Sequence, residues 1–247
     1  YFAYRNAAWY QAEVEEAERL AQSRGFAKVS ALKSAVAQRI REFVAGGGFL
    51  FAMCSATDSY DIALAALGLD ICETMYDGDP SDPLAQDKLN DDACFAFRNF
   101  TLTPNPLEYE FSNIDVTTTR GMVPETEDFF TIFDFSAKWD VVPTMLTQCH
   151  TDEVKGFMGQ TTDFRKAVIK NNVLILGENK ALGTAKYIHG EFGQGTWTFY
   201  TGHDPEDYEH RVGDPHTDLN LHPNSPGYRL ILNNVLFPAA KKKKKKT

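Results

Sequence analysis

Apolar positions recur along the first quarter of the chain in a helical rhythm. Residues 6–24 place Trp9, Val14, Ala17, Leu20 and Ala21 roughly on one side of a helix that Gly25 ends. A clearer helix follows, with Ser30 as its expected cap. Leu32, Val36, Ile40 and Phe43 recur at spacings of four, four and three, with Ala35, Arg39 and Val44 beside them. Gly46, Gly47 and Gly48 stop it. The wholly apolar "FLFAM" (49–53) then reads as a short strand of the kind buried on both faces of a parallel sheet. "SATDSYDIALAALG" (55–68) reads as a helix closed by Gly68.

Helix, glycine turn, apolar strand, turn and helix in succession predict a doubly wound α/β domain, a parallel sheet with helices on both faces. The middle breaks that rhythm. An irregular, β-rich insertion is expected at about 76–140. Its Asp-, Pro-, Asn- and Thr-rich part holds the short possible strands "CFAFRNFTL" (94–102) and "YEFSNI" (109–114). Later strands are expected in "VPTMLTQ" (142–148), "VLILGEN" (173–179) and 185–204, the last containing a hairpin around Gly193-Gln194-Gly195. "PGYRLILNNVLF" (226–237) reads as a closing helix with Pro226 near its first turn. Residues 1–240 are read as one α/β domain and 241–247 as a basic, disordered tail.

Charge narrows the possible partners. The 247 residues carry a net charge of −9, and six of the positive charges are the lysines at 241–246, so the body carries −15. A body that acidic repels phosphate backbones, which argues against nucleic acid. No apolar run approaches the roughly 20 residues that span a bilayer. Cys54, Cys72, Cys94 and Cys149 show no CxxC pair and no zinc-finger spacing. His189, His203, His210, His216 and His222 match no compact metal motif and are read as hydrated loop residues. "GDPSDP" (78–83) is read as a turn-rich loop rather than a calcium loop. No metal or cofactor is expected.

Two stretches can carry chemistry. Cys54 lies between an apolar strand and a helix, with Ala52 and Ala56 two residues to either side. A nucleophile on a strained strand-to-helix turn needs such small neighbours, and the following helix start favours an anion. The alternative is a buried structural cysteine at a strand end. In "TFYTGHDPEDYEH" (198–210), a strand ends at Gly202 and His203 follows where the chain leaves the sheet. Catalytic groups of open α/β sheets gather beyond the carboxyl ends of strands, so Cys54 and His203 are expected over one edge. Asp204, Glu206 or Asp58 is the expected orienter of the imidazole. The alternative for His203 is a loop histidine held by hydrogen bonds.

"GGGFLFAMCSATDSYD" resembles the signature of trehalose-utilisation-type, ThuA-like domains, and "HGEFGQGTWTFYTGHDPE" resembles the later signature of the same family. The resemblance covers the two ends of the chain and not its centre. It implies a flavodoxin-like architecture of the class I glutamine-amidotransferase-like group. The ThuA-like elbow usually holds His where this chain has Cys54, whereas the amidotransferase relatives use a Cys elbow with a His partner. Those relatives place Gly two residues either side of the Cys and Glu two residues beyond the His. Here Ala52 and Ala56 stand at the first positions, and Glu206 is three beyond His203. The resemblance carries Cys54 and His203 over as nucleophile and base, and implies a site that includes Ser55, Thr57, Asp58 and Gly202. The family also opens with a strand, helix and strand before this region, which implies upstream sequence and absent first strands. The chain is similar to bacterial proteins labelled asparagine synthetase B. "SATDS" (55–59), however, lacks the glycines of a pyrophosphate loop, and Tyr1 is not the N-terminal Cys of a synthetase glutaminase.

Two functional classes follow. The first is a thiol-dependent hydrolase or amidotransferase-like domain acting on an amide or ester. The second is a non-catalytic carbohydrate-binding or assembly module, with Tyr76, Tyr109 and Trp139 as a sugar-stacking surface; a sugar-processing protein lies between them. The expected partner is a small amide or sugar-like molecule.

Overall fold

The computed structural model describes residues 4–108, 110–116, 128–133, 151–157, 159, 161–207, 215–236 and 238. The protein is mixed α/β. Helices α1 (Ala8–Ser23) and α2 (Val29–Ala45) lead into strand β1 (Phe49–Met53) and helix α3 (Asp58–Ala65). Short helices α4 (Thr74–Asp77) and α5 (Ala85–Lys88) precede strands β2 (Phe129–Ile132) and β3 (Glu153–Lys155). Strands β4 (Leu174–Asn179), β5 (Thr184–Phe192) and β6 (Gly195–Tyr200) follow, and helix α6 (Pro226–Leu236) closes the fold.

The six strands form one curled sheet in the order β1-β6-β5-β4-β2-β3. The expected all-parallel sheet is not formed. Among the described residues only β1 and β6 run parallel; β6–β5, β5–β4, β4–β2 and β2–β3 are antiparallel. The reason lies in the connections. Residues 180–183 and 193–194 join β4 to β5 and β5 to β6 by tight turns, and a tight turn returns a strand antiparallel. A parallel neighbour needs a long crossover, which the chain makes between β1 and β6.

The sheet separates two cores. On one side α2, α3 and residues 93–102 cover Leu50, Ala52, Ile188, Trp197 and Phe199. On the other, Leu230 and Ile231 of α6 pack with Phe49, Phe51, Met53, Tyr187 and Tyr200. β1 thus sends alternate residues to both cores, as its wholly apolar sequence demands.

Several local expectations change. α2 begins at Val29, with Lys28 in extended backbone as its cap residue, so Ser30 lies inside the first turn. The buried side of α2 is Ala37 and Val44, and Val36 and Phe43 point outward. On α1 only Ala21 is buried; Trp9, Val14 and Leu20 are exposed. "CFAFRNFTL" forms no strand. It makes isolated bridges at Phe97 and Leu102, and its backbone is held by the Asp61 carboxylate, which accepts from the N–H groups of Phe95 (2.8 Å), Ala96 (2.7 Å) and Phe97 (2.9 Å). "VPTMLTQ", Tyr109, Trp139, Cys149, His210 and residues 241–247 lie outside the described residues.

The glycines after α2 end the helix as expected, and the hairpin of β5 and β6 docks on them. Gln194 N–H donates to Ala45 O at 2.9 Å and Thr196 N–H to Gly48 O at 3.1 Å. A Cβ on Gly195 would lie 2.1 Å from Val44 O, so only glycine permits this approach.

Candidate functional site

Parallel pairing of β1 with β6 sets the site. Met53 is opposite Tyr200, so both strands end at one edge of the sheet, where Cys54 follows β1 and Thr201, Gly202 and His203 follow β6. Cys54 has a φ of +56°, one of two non-glycine residues with positive φ among the described residues. A side chain in that backbone region costs about 1–3 kcal/mol and must be held by its surroundings. The holding groups are local. Thr57 donates twice to Cys54 O, from its N–H at 3.1 Å and its Oγ1 at 2.7 Å, and Ser59 Oγ donates to Ser55 O. A 3-10 turn, Cys54–Ala56, then runs into α3. Cys54 and Ser55 are half-buried, whereas Thr57 and Asp58 are buried.

Phe157, Gly159 and Thr161 lie at this edge. Phe157 stacks on Tyr200 with centroids 4.4 Å apart. A Cβ added to Gly159 would lie 3.0 Å from Cys54 Sγ and 2.7 Å from Gly202 Cα. Gly202, buried with a φ of +65°, donates its N–H to Thr161 O at 2.6 Å. Its own Cβ position would fall 2.5 Å from Phe157 O. Glycine is therefore required at both 159 and 202, by closeness at the first and by closeness and backbone sign at the second.

Asp58, in the first turn of α3, accepts from Thr161 Oγ1 at 3.0 Å through Oδ1, while its buried Oδ2 has no hydrogen-bond partner. Burial, with the nearby Asp115 charge adding to it, pushes the Asp58 carboxyl up to about 7. It is thus partly neutral at physiological pH, which lowers the negative charge next to the elbow.

Two of the expected orienters of His203, Asp204 and Glu206, make contacts around the loop that carries it. Asp204 Oδ1 accepts from the N–H groups of Glu206 (3.0 Å) and Asp207 (3.2 Å) and from Tyr228 Oη (2.8 Å), and Oδ2 accepts from Thr217 Oγ1 (2.6 Å). Burial works against the Asp204 charge, but these donors outweigh it and hold the carboxyl below its ordinary value. Asp204 thereby ties the loop after β6 to α6. Glu206 Oε2 lies 3.7 Å from His222 Nδ1. His203 itself is exposed.

The remaining candidates sort clearly. His189 is not a loop residue but lies within β5, 5% exposed, with Nδ1 3.0 Å from Thr198 Oγ1, and burial lowers it to about 4. Asp70, Asp77 and Asp79 converge as a cation site would, and the Lys28 ammonium bridges them, at 3.2 Å from both Asp70 and Asp77. Tyr76 is exposed. Among the other cysteines, burial pushes Cys72 up to about 11, and the buried Cys94, whose Sγ donates to Asp61 O, is raised further. No described helix is long and apolar enough to cross a membrane.

The residues missed from the sequence are Gly159 and Thr161 in "GQTTD" (159–163), together with the buried pair Asp163 and Lys186 behind them. A glycine followed by polar residues reads as a loop. Its approach to Cys54 becomes visible only once β1 and β6 are paired. No family model matches the chain, and neither a curated protein nor a solved structure does.

Proposed function

We propose that the protein is a thiol-dependent hydrolase of a small amide or ester, with Cys54 as nucleophile and His203 as general base. The observation that carries this reading is the positive φ of Cys54 at the end of β1. A strained strand-to-helix turn lifts a nucleophile out of the sheet and sets it beside the free N–H groups of the next turn. In the proposed reaction the thiolate attacks the carbonyl carbon, and the backbone N–H groups near Ser55 stabilise the oxyanion. His203 carries the thiol proton to the leaving amine or alcohol, and water then hydrolyses the thioester. Asp204 and Glu206 act on the loop that carries His203, through α6 and His222. The proposal takes the chain as a glutamine-amidotransferase-like or ThuA-like domain. Support for that assignment comes from the parallel β1–β6 pair, which bears both signature stretches at its carboxyl end and has helices on both faces.

Alkylation with iodoacetamide at neutral pH, read by peptide mapping, tests the proposal. Cys54 is expected to label first. At about 11, Cys72 holds on the order of a hundredfold less thiolate than an ordinary cysteine, and Cys94 is more strongly suppressed. His203→Ala is expected to slow Cys54 labelling at least about tenfold. Equal labelling of Cys54 and Cys72, or no effect of His203→Ala, would favour the non-catalytic binding module.

A further inference from the structure

We infer that Thr161 and Asp58 are positioning residues that clamp the Cys54 elbow to the loop carrying His203. The inference rests on the reading of Cys54 and His203 as the reacting pair.

The two halves of that pair come from separate strands, and nothing in β1–β6 pairing alone fixes what lies beyond the last register pair. Thr161 makes one bond to each half. Its Oγ1 donates to Asp58 Oδ1 at 3.0 Å, four residues after Cys54, and its carbonyl accepts from Gly202 N–H at 2.6 Å, one residue before His203. Thr161 and Asp58 are each 1% exposed, so neither bond competes with water. Gly159 completes the clamp by bringing backbone against both Gly202 Cα and Cys54 Sγ, with no room for a side chain.

Asp58 is a costly choice if the turn needed only packing. A buried carboxyl with one oxygen unbonded and a second acid, Asp115, close by is penalised, and an apolar residue in the first turn of α3 would avoid that cost. What it supplies is an acceptor that fixes the Thr161 hydroxyl. The bond is lost in Thr161→Val, which keeps the shape, and is kept in Thr161→Ser.

The test measures Cys54 alkylation by iodoacetamide in the full chain, with folding checked by urea titration. Wild type and Thr161→Ser are expected to label at the same rate. Thr161→Val is expected to fall about tenfold, to the rate of His203→Ala, and the double variant is expected to fall no further, because both changes remove the same coupling. A merely structural role would give additive losses and no rescue by serine. If Thr161→Val does not fold, Asp58→Ala replaces it. That variant removes the same bond from its acceptor side and also removes the buried carboxyl, and it is expected to show the same loss without additivity. A folded Thr161→Val or Asp58→Ala that labels at the wild-type rate overturns the inference and leaves the thiol mechanism standing. Wild-type labelling that does not depend on His203 overturns the mechanism and the inference together.

Discussion

Asp163→Ala is expected to cost about 3–5 kcal/mol of folding free energy, measured by urea denaturation at pH 7. Asp163 and Lys186 are both fully buried, with Lys186 Nζ 2.9 Å from Asp163 Oδ1. The pair is well satisfied: Nζ also donates to Thr162 O at 2.6 Å, and Thr184 Oγ1 donates to Asp163 Oδ2 at 2.8 Å. Removing the carboxylate leaves an ammonium in the interior without its counter-charge, which is far more costly than the pair is stabilising. Replacing both residues, as in Asp163→Leu with Lys186→Met, is expected to recover most of the loss. The site would feel the single change, because Lys186 O accepts the Thr201 N–H at 2.9 Å, two residues before His203. A cost below about 1 kcal/mol for Asp163→Ala would mean that Lys186 reaches water or another acceptor when the acid is removed.

Asp61→Ala is expected to have an effect of similar size, about 3–5 kcal/mol, because it strands three backbone donors at once. Phe95, Ala96 and Phe97 all donate to the one Asp61 carboxylate, and all three are buried in the core under α2 and α3. Asp61→Asn keeps an acceptor and is expected to lose less. The pH dependence has a definite sign. Burial raises the carboxyl from 3.8 to about 6 against the pull of those N–H groups. Between these values the native state keeps a proton that the unfolded chain has released, so this group's contribution is full below about pH 4 and declines as pH rises to about 6. Asp61→Ala is expected to remove that part of the slope of unfolding free energy against pH. An unchanged slope would mean that Asp61 is ionised across the whole range.

What the sequence discloses here follows from how local each signal is. The FLFAM strand, the turn at Cys54, the hairpin at Gly193 and Gln194 and the helix from Pro226 all depend on neighbouring residues, and all are present. Strand direction is not local. The FLFAM run has the same pattern whether its partners run parallel or antiparallel, so it does not tell the one parallel pair, β1 with β6, from the antiparallel pairs of the described sheet. Faces of amphipathic helices fail for a related reason. Val36 and Phe43 sit on a regular stripe, but α2 meets the sheet through Ala37 and Val44, where small or close-packed residues let it approach.

The candidate site divides in the same way. Cys54 and His203 stand out as candidates in the sequence because a strand end and a turn mark them. Asp58 was visible as an acid near the elbow, but its burial against Thr161 depends on a segment a hundred residues away, and "GQTTD" carries no sign of that contact. Glu206 and Asp204 follow His203 closely in sequence, yet the loop turns so that Asp204 binds Tyr228 and Thr217 and Glu206 faces His222. Proximity along the chain does not disclose these contacts.

Trapping an acyl adduct on Cys54 tests the proposed nucleophile most directly. The protein is mixed with p-nitrophenyl acetate, quenched in acid after the first turnover and mapped by peptide mass. An acetyl thioester is expected on the Cys54 peptide, formed about tenfold more slowly in His203→Ala and absent in Cys54→Ala. An unmodified Cys54 peptide, with nitrophenol released equally by wild type and Cys54→Ala, would contradict it.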